Sequence, residues 1–247
     1  MTSGHQETVR GEFDRAAAVF AERSAGRFDS LNVVEFARVK PEQTVLEVGA
    51  GTGNFLSLFG EVTDALVALD LTPAMLEQAR LRHRKLKLVL GDAFKLPLKT
   101  GSIDLATTAQ ALHHIWKPVD VLKELRRVVA PGGRVLIVDS VATEKLEEVE
   151  AMNELDRVRD PSHAAFRSPS TMKVIVESAG LRVIDEHLQE EHQTLSNWMW
   201  PGEFPQERIV RVREFIETRG HETGLGFERV GDDFRFMRRR MMLLAER

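Results

Sequence analysis

The chain contains no cysteine and no tyrosine. Without cysteine there is no disulfide framework, no thiolate nucleophile and no thiolate metal ligand. Without tyrosine no phenol serves as acid or base. The rings left to hold a cation or line an apolar pocket include Phe13, Phe20, Trp116, Trp198 and Trp200. No run approaches the roughly 18–20 apolar residues of a membrane span. Residues 1–10 are polar and lack the apolar core of a secretion signal. Positive charge is not in excess either: 34 Lys and Arg against 38 Asp and Glu give a net charge of −4. Such a chain has no overall field to draw in nucleic acid. The expectation is a cytoplasmic protein, monomer or homodimer, with no nucleic-acid partner and no membrane span.

What is present is an ordinary globular balance, 43% apolar and 29% charged residues over 247 positions, which can bury a core unaided. Short β-branched runs alternate with longer helical patterns. Thr44–Val48, Ala65–Asp70, Leu86–Leu90, Ser102–Thr107 and Arg134–Asp139 read as strands. Pro73, with Thr72 before it, opens a helix. The segment from Asp120 to Val129 puts Val121, Leu122, Leu125, Val128 and Val129 on one face, and Asn54 to Phe59 continues as a helix from a glycine loop. Two late strands, Leu181–His187 and Phe234–Ala245, suggest an antiparallel pair closing one edge. The pattern predicts an α/β fold: a doubly wound, Rossmann-like, mainly parallel sheet of about seven strands with helices on both faces. A single domain is expected over 1–247. Residues 1–40 would form a helical lid, 41–140 a cofactor-binding core, and 141–247 a substrate-side insertion and the sheet edge.

The sharpest signal is Glu47-Val-Gly49-Ala50-Gly51-Thr-Gly53, where a strand hands over to a helix. Glycine permits positive φ and lets backbone approach a ligand with no Cβ in the way. A helix N-terminus beyond it would favour an anionic group. The spacing is G-x-G-x-G, with the third glycine one place early for a dinucleotide fingerprint, and no lysine follows as a P-loop requires. Asp70 closes the second strand, where a carboxylate can accept both hydroxyls of a ribose. Asp92, in Gly91-Asp92-Ala93 after the third strand, can accept from an exocyclic amine such as adenine N6. These three features lie at the C-terminal ends of successive strands and point at one crevice, the place where open α/β sheets bind ligands.

The run from Val45 to Ser140 resembles the class I S-adenosylmethionine-dependent methyltransferases. It is most similar to the small-molecule group that includes the quinone and sterol C-methyltransferases. The resemblance rests on the glycine loop, Asp70 with Met75, Gly91-Asp92-Ala93, Ile103-Asp104 through His113-His114, and Leu125 to Asp139 with its Pro-Gly-Gly turn. It implies S-adenosylmethionine as cofactor. Glu47 and the backbone of Gly49, Ala50, Gly51 and Gly53 would surround its methionine part. Asp70 would hold the ribose, with Leu71 and Met75 packed nearby, and Asp92 and Ala93 would read the adenine edge. Thr108, Ala109 and Gln110 would lie near the amino group and sulfonium; Ala109 stands where the family often carries a bulkier residue.

Methyl transfer from a sulfonium leaves a neutral group, so no acid is needed, and positioning supplies much of the rate. An oxygen or acidic carbon acceptor also needs a base. His114 and His113 are the candidates, of which at most one is expected to face the acceptor. Adjacent histidines without cysteines do not make a metal site, and no metal is expected. Phe13, Phe20, His163 and Trp198 are candidates for the acceptor pocket. Arg208, Arg211 and Arg213 on a helix, and Arg238 to Arg240 on a strand, would form an anion-binding patch only if they met in space. The acceptor is expected to be a small organic molecule. A quinone precursor and a non-catalytic, cofactor-binding regulator or scaffold are the alternatives. A nicotinamide dehydrogenase is disfavoured by the glycine spacing, and an amino-methylase of nucleic acid by Gln110-Ala-Leu-His113 where Asn/Asp-Pro-Pro-aromatic is usual.

Overall fold

A computed structural model describes residues 3–24, 26–199 and 204–247; Trp200 lies outside the described residues. Helices α1 (Ser3–Arg23) and α2 (Val33–Ala37) precede the sheet. The strands are β1 (Val45–Val48), β2 (Leu66–Asp70), β3 (Lys87–Leu90), β4 (Ile103–Ala109), β5 (Val129–Val141), β6 (Arg182–Thr194), β7 (Glu228–Val230) and β8 (Asp233–Glu246). Among the described residues these form one eight-stranded sheet in the order β3-β2-β1-β4-β5-β8-β6, with β7 paired to β8. The first five strands are parallel, and β8 runs antiparallel to both β5 and β6. The doubly wound sheet with an antiparallel edge is therefore present. The order reverses between β1 and β4, so the chain leaves their C-terminal ends in opposite directions and opens a crevice there.

The pattern of each element explains its place. β1 is buried along its whole length, as a central parallel strand covered on both faces must be. Helix α4 (Pro118–Val128) buries Val121, Leu122, Leu125 and Val128 and packs with helix α6 (Pro169–Ser178) over one face of the sheet. Phe28, Val33, Phe55 and Phe59 cover the other face. Helix α3 (Pro73–Arg82) begins with its proline in the first turn. Helices α5 (Leu146–Arg159), α7 (Leu195–Trp198) and α8 (Gln206–Arg219) build a third core with the overhanging end of β8, around Phe166, Trp198 and Phe236.

The sequence expectation fails at three places. The segment after the glycine loop is a short 3-10 helix, Leu56–Glu61, in place of an α-helix from Asn54. β6 runs to Thr194, well beyond His187, because its polar second half pairs with the arginine-rich start of β8. α7 and β7 are too short to leave a periodic signal. No helix among the described residues is long and apolar enough to cross a membrane.

Candidate active site

The loop after β1 is pinned from below and open above. The Gly49 and Ala50 N–H groups both donate to the Leu69 carbonyl, at 2.9 and 3.0 Å. Gly49 has φ +73°, and a Cβ there would stand 2.7 Å from the Ala111 Cβ. Gly51 has φ +53°, and its missing Cβ would meet only open space, which leaves its backbone free to face a ligand. Gly53 does different work: it is off the cavity wall, and a Cβ there would lie 2.6 Å from Leu86 Cδ1.

Asp70 holds this loop. Its Oδ2 accepts the Gly51 N–H at 2.7 Å and its Oδ1 the Thr72 N–H at 2.8 Å. Each oxygen keeps a lone-pair direction for a further donor. Burial raises its pKa despite those donors. Glu47 Oε2 accepts the Leu56 N–H at 3.0 Å. The N-terminus beyond the loop is thus a short 3-10 turn already facing a carboxylate, so the anion site expected from a helix dipole is not built there. Burial also pushes Glu47 well above the usual carboxylate range, with Asp70 adding to it.

An upper cavity of about 160 Å³ gathers most of the expected cofactor residues. Glu47, Gly49, Ala50 and Gly51 line its floor, Asp70, Leu71 and Met75 one wall, and Asp92, Ala93, Ala109 and Gln110 the others. Thr108 is not among them; it is buried in β4, paired with Ile137. Helix α1 roofs the cavity. Gln6 Nε2 donates to Asp92 Oδ2 at 2.9 Å, and His5 Nε2 to the His114 carbonyl at 2.8 Å. Asp92 Oδ1 meanwhile accepts the Phe94 N–H at 2.9 Å. Buried Glu47 and Asp70, with no ion-pair partner among the described residues, a glycine cradle and the Asp92 carboxylate fit a cationic nucleoside ligand such as S-adenosylmethionine.

A lower cavity of about 510 Å³ adjoins the first, within the usual range for small-molecule sites. Phe13, Phe20, Ser24, Arg27, Gln110 and His114 line both. Trp198 and His113 line the lower one. Phe13 and Phe20 meet edge to face, and Phe13 also meets the His114 ring.

The two histidines differ in kind. His113 Nδ1 donates to Asp139 Oδ1 at 2.6 Å, and its backbone N–H to Asp139 Oδ2 at 3.0 Å. Burial alone would raise the Asp139 pKa, but the His113 ring, its hydrogen bond and the Ser140 N–H bring it below its ordinary value. His114 Nδ1 donates to the Ser162 carbonyl at 3.0 Å, which leaves Nε2 as the acceptor. Burial, then the neighbouring His113, lowers His114 to about 4. Arg167 fixes this turn by donating to the carbonyls of Leu112 and Ile115 at 3.0 and 2.6 Å.

His163 is neither a surface-loop residue nor on the cavity wall. It is buried, with Nε2 at 2.7 Å from Asn153 Oδ1, and burial lowers its pKa to about 3. The arginines of α8 and β8 do not meet as one patch: Arg208 reaches Glu12, and Arg213 the Asp232 carbonyl. Arg238 instead meets Arg27 at Gln110. Asp139 and Arg27 carried no signal as site residues. Arg238 and Arg240 carried one, a charged pair on the inward face of a strand. Among the described residues no group of three or more His, Asp or Glu is placed to hold a metal ion.

Comparison with known proteins agrees with this geometry. Residues 46–137 match the model of a methyltransferase domain. The chain is similar to the methyltransferase YcgJ of Bacillus subtilis, 28% identical over 86% of this chain and 84% of that protein. It is 34% identical to the demethylmenaquinone methyltransferase of Paenarthrobacter aurescens, but over only 43% of this chain and 42% of the relative. A crystal structure of a methyltransferase from Bacillus halodurans superposes with a TM-score of 0.81 at 26% identity, covering 88% of this chain and 98% of that one. Residues 46–137 are thus similar to a methyltransferase domain, and the fold around them is that of the methyltransferase structure from Bacillus halodurans.

Proposed function

We propose that the chain transfers a methyl group to a small organic acceptor held in the lower cavity. The observation that carries this reading is the shared wall: Gln110, His114 and Phe13 border both cavities, so a cofactor in one faces an acceptor in the other. When bound, S-adenosylmethionine supplies an electrophilic methyl on a sulfonium. Glu47 would answer the cofactor's ammonium group, Asp70 its ribose hydroxyls, and Asp92 its adenine amine. Gly49 to Gly51 would let backbone approach, and Leu71 and Met75 would pack against the ribose and base.

Helix α1 would act as a lid. Gln6 occupies the Asp92 oxygen that an adenine would use, so α1 shifts for the cofactor to enter and then screens it from water. His113 is the better base of the pair. Its Nδ1 is held by Asp139, and the residue lines the lower cavity. Asp139 is then a positioning residue that fixes the tautomer. His114, whose proton affinity burial has lowered, would orient the acceptor and exclude water.

The test is incubation of the full chain with methyl-labelled S-adenosylmethionine and a panel of phenols, amines and small acids. Label in a small-molecule product supports the reading. Saturable cofactor binding with no transfer to any acceptor class would favour a cofactor-binding regulator.

A further inference from the structure

Two guanidinium groups in the lower cavity make no hydrogen bond to a carboxylate among the described residues, although Asp139 lies near enough to Arg27, and Asp156 and Glu191 to Arg238, to favour their charge. Arg27 Nη2 and Arg238 Nη2 both donate to the same neutral oxygen, Gln110 Oε1, at 3.1 and 3.2 Å. Ser140 Oγ adds a third donor to that oxygen at 3.0 Å and accepts from Arg238 Nη2 at 2.8 Å. Neither arginine forms an ion pair among the described residues, whereas nearby Arg240 pairs with Glu191 and Arg159 with Asp156. Arg240 also holds the Arg27 carbonyl through Nη1 at 3.1 Å.

Bringing two like charges onto one neutral acceptor is unfavourable unless a ligand answers them. Burial, then Arg240 and Arg159, pushes Arg238 down to about 10, and burial and Arg238 lower Arg27 too. The acceptor oxygen is itself held at a cost. Gln110 has φ +52°, the left-handed region that side-chain-bearing residues rarely adopt, and its Nε2 is buried without a partner. Four aromatic rings, Phe13, Phe20, Trp198 and Phe204, share the wall with polar residues that include Glu12, Arg159, Asp160 and Asn197.

We propose that Arg27 and Arg238 bind the carboxylate of the acceptor, whose apolar or aromatic body lies against Phe13, Phe20 and Trp198. The substrate class is thus a small apolar carboxylic acid. A planar guanidinium matches a carboxylate's two oxygens, and two such groups at one point are more than a neutral acceptor needs. This inference rests on the reading of the lower cavity as the acceptor site.

The test is calorimetric titration of the full chain, loaded with S-adenosylhomocysteine, with benzoate, benzamide and inorganic phosphate. Benzoate is expected to bind at least about tenfold more tightly than benzamide, the scale of one charge-assisted hydrogen bond, and more tightly than phosphate. Arg238→Gln and Arg27→Gln should each lower benzoate affinity by a similar factor, and Arg238→Gln should leave S-adenosylmethionine affinity unchanged. Arg27 is half-buried and its variant serves if Arg238→Gln does not fold. Benzamide equal to benzoate, phosphate tighter than benzoate, no benzoate binding, or unchanged affinity in the folded variants would overturn the proposal. Failure of S-adenosylhomocysteine to bind would instead strike the cofactor-site reading, and the same benzoate titration on the unloaded chain would still decide the anion site.

Discussion

The carboxylate of Asp70 accepts the backbone N–H of Gly51 at 2.7 Å, so the acid that ends β2 holds the glycine loop that follows β1. One residue therefore shapes the cradle and lines the cavity above it. Asp70→Ala should weaken S-adenosylmethionine binding by roughly 1.5–3 kcal/mol, the range for hydrogen bonds to a charged group, and should also lower the melting temperature. Asp70→Asn should not rescue both, because its amide turns a donor toward the N–H of Gly51 or Thr72. Calorimetry and thermal unfolding on the two variants check this; unchanged affinity in Asp70→Ala would remove the assigned role.

Glu47 predicts a pH dependence of binding. Burial holds its pKa well above the ordinary carboxylate range, and a cationic ligand beside it favours the ionised form. Binding should therefore release a proton wherever Glu47 is protonated in the free chain. Affinity should fall as pH is lowered through that raised range. Titrations in buffers of different ionisation enthalpy measure the proton count directly. Glu47→Gln should remove both the proton release and this part of the pH slope; a release that persists in the variant would place the titrating group elsewhere.

His114 and His163 predict acid sensitivity of the fold. Burial lowers their pKa to about 4 and about 3 from 6.5, so the unfolded chain binds these protons more readily than the folded one. Stability is then full above pH 6.5 and is lost as pH falls toward the folded values. By pH 5 each histidine should cost about 2 kcal/mol relative to pH 8. Urea unfolding at the two pH values should show the loss, and His163→Gln should flatten it relative to wild type. A slope unaltered in that variant would contradict the assignment.

The pairing of His113 with Asp139 predicts a split between chemistry and binding. With a transferable acceptor in hand, His113→Gln should reduce kcat by about 10²–10⁴-fold, the usual scale for a general base. S-adenosylmethionine affinity should stay within a small factor. Asp139→Asn should shift the acid limb of the kcat profile as well as lower its plateau. Parallel loss of kcat and cofactor affinity in both variants would mark the pair as structural support only.

Local chemistry made much of the upper site legible. The glycine spacing, Asp70, Asp92 and Met75 each sit next to the strand end that positions them, and all of them line one cavity. Gly53 and Thr108 belong to the same motifs yet face inward, because the turn at Gly53 packs on Leu86 and alternation along β4 buries Thr108. The lower site was far less readable. Arg27, Gln110, Ser140 and Arg238 come from α1's exit loop, the ends of β4 and β5, and the interior of β8, and only the antiparallel return of β8 beside β5 brings them together. His163 belongs to a breaker segment that reads as a loop; it is buried against Asn153, in the middle of α5.

The most direct measurement is a crystal structure of the full chain with S-adenosylhomocysteine. The account predicts the adenine edge at Asp92 with Gln6 displaced, the ribose at Asp70, the amino group toward Glu47, and the sulfur at Gln110 and His114, facing the lower cavity. A ligand bound with its sulfur turned away from that cavity, or with Gln6 still on Asp92 and the adenine elsewhere, would contradict it.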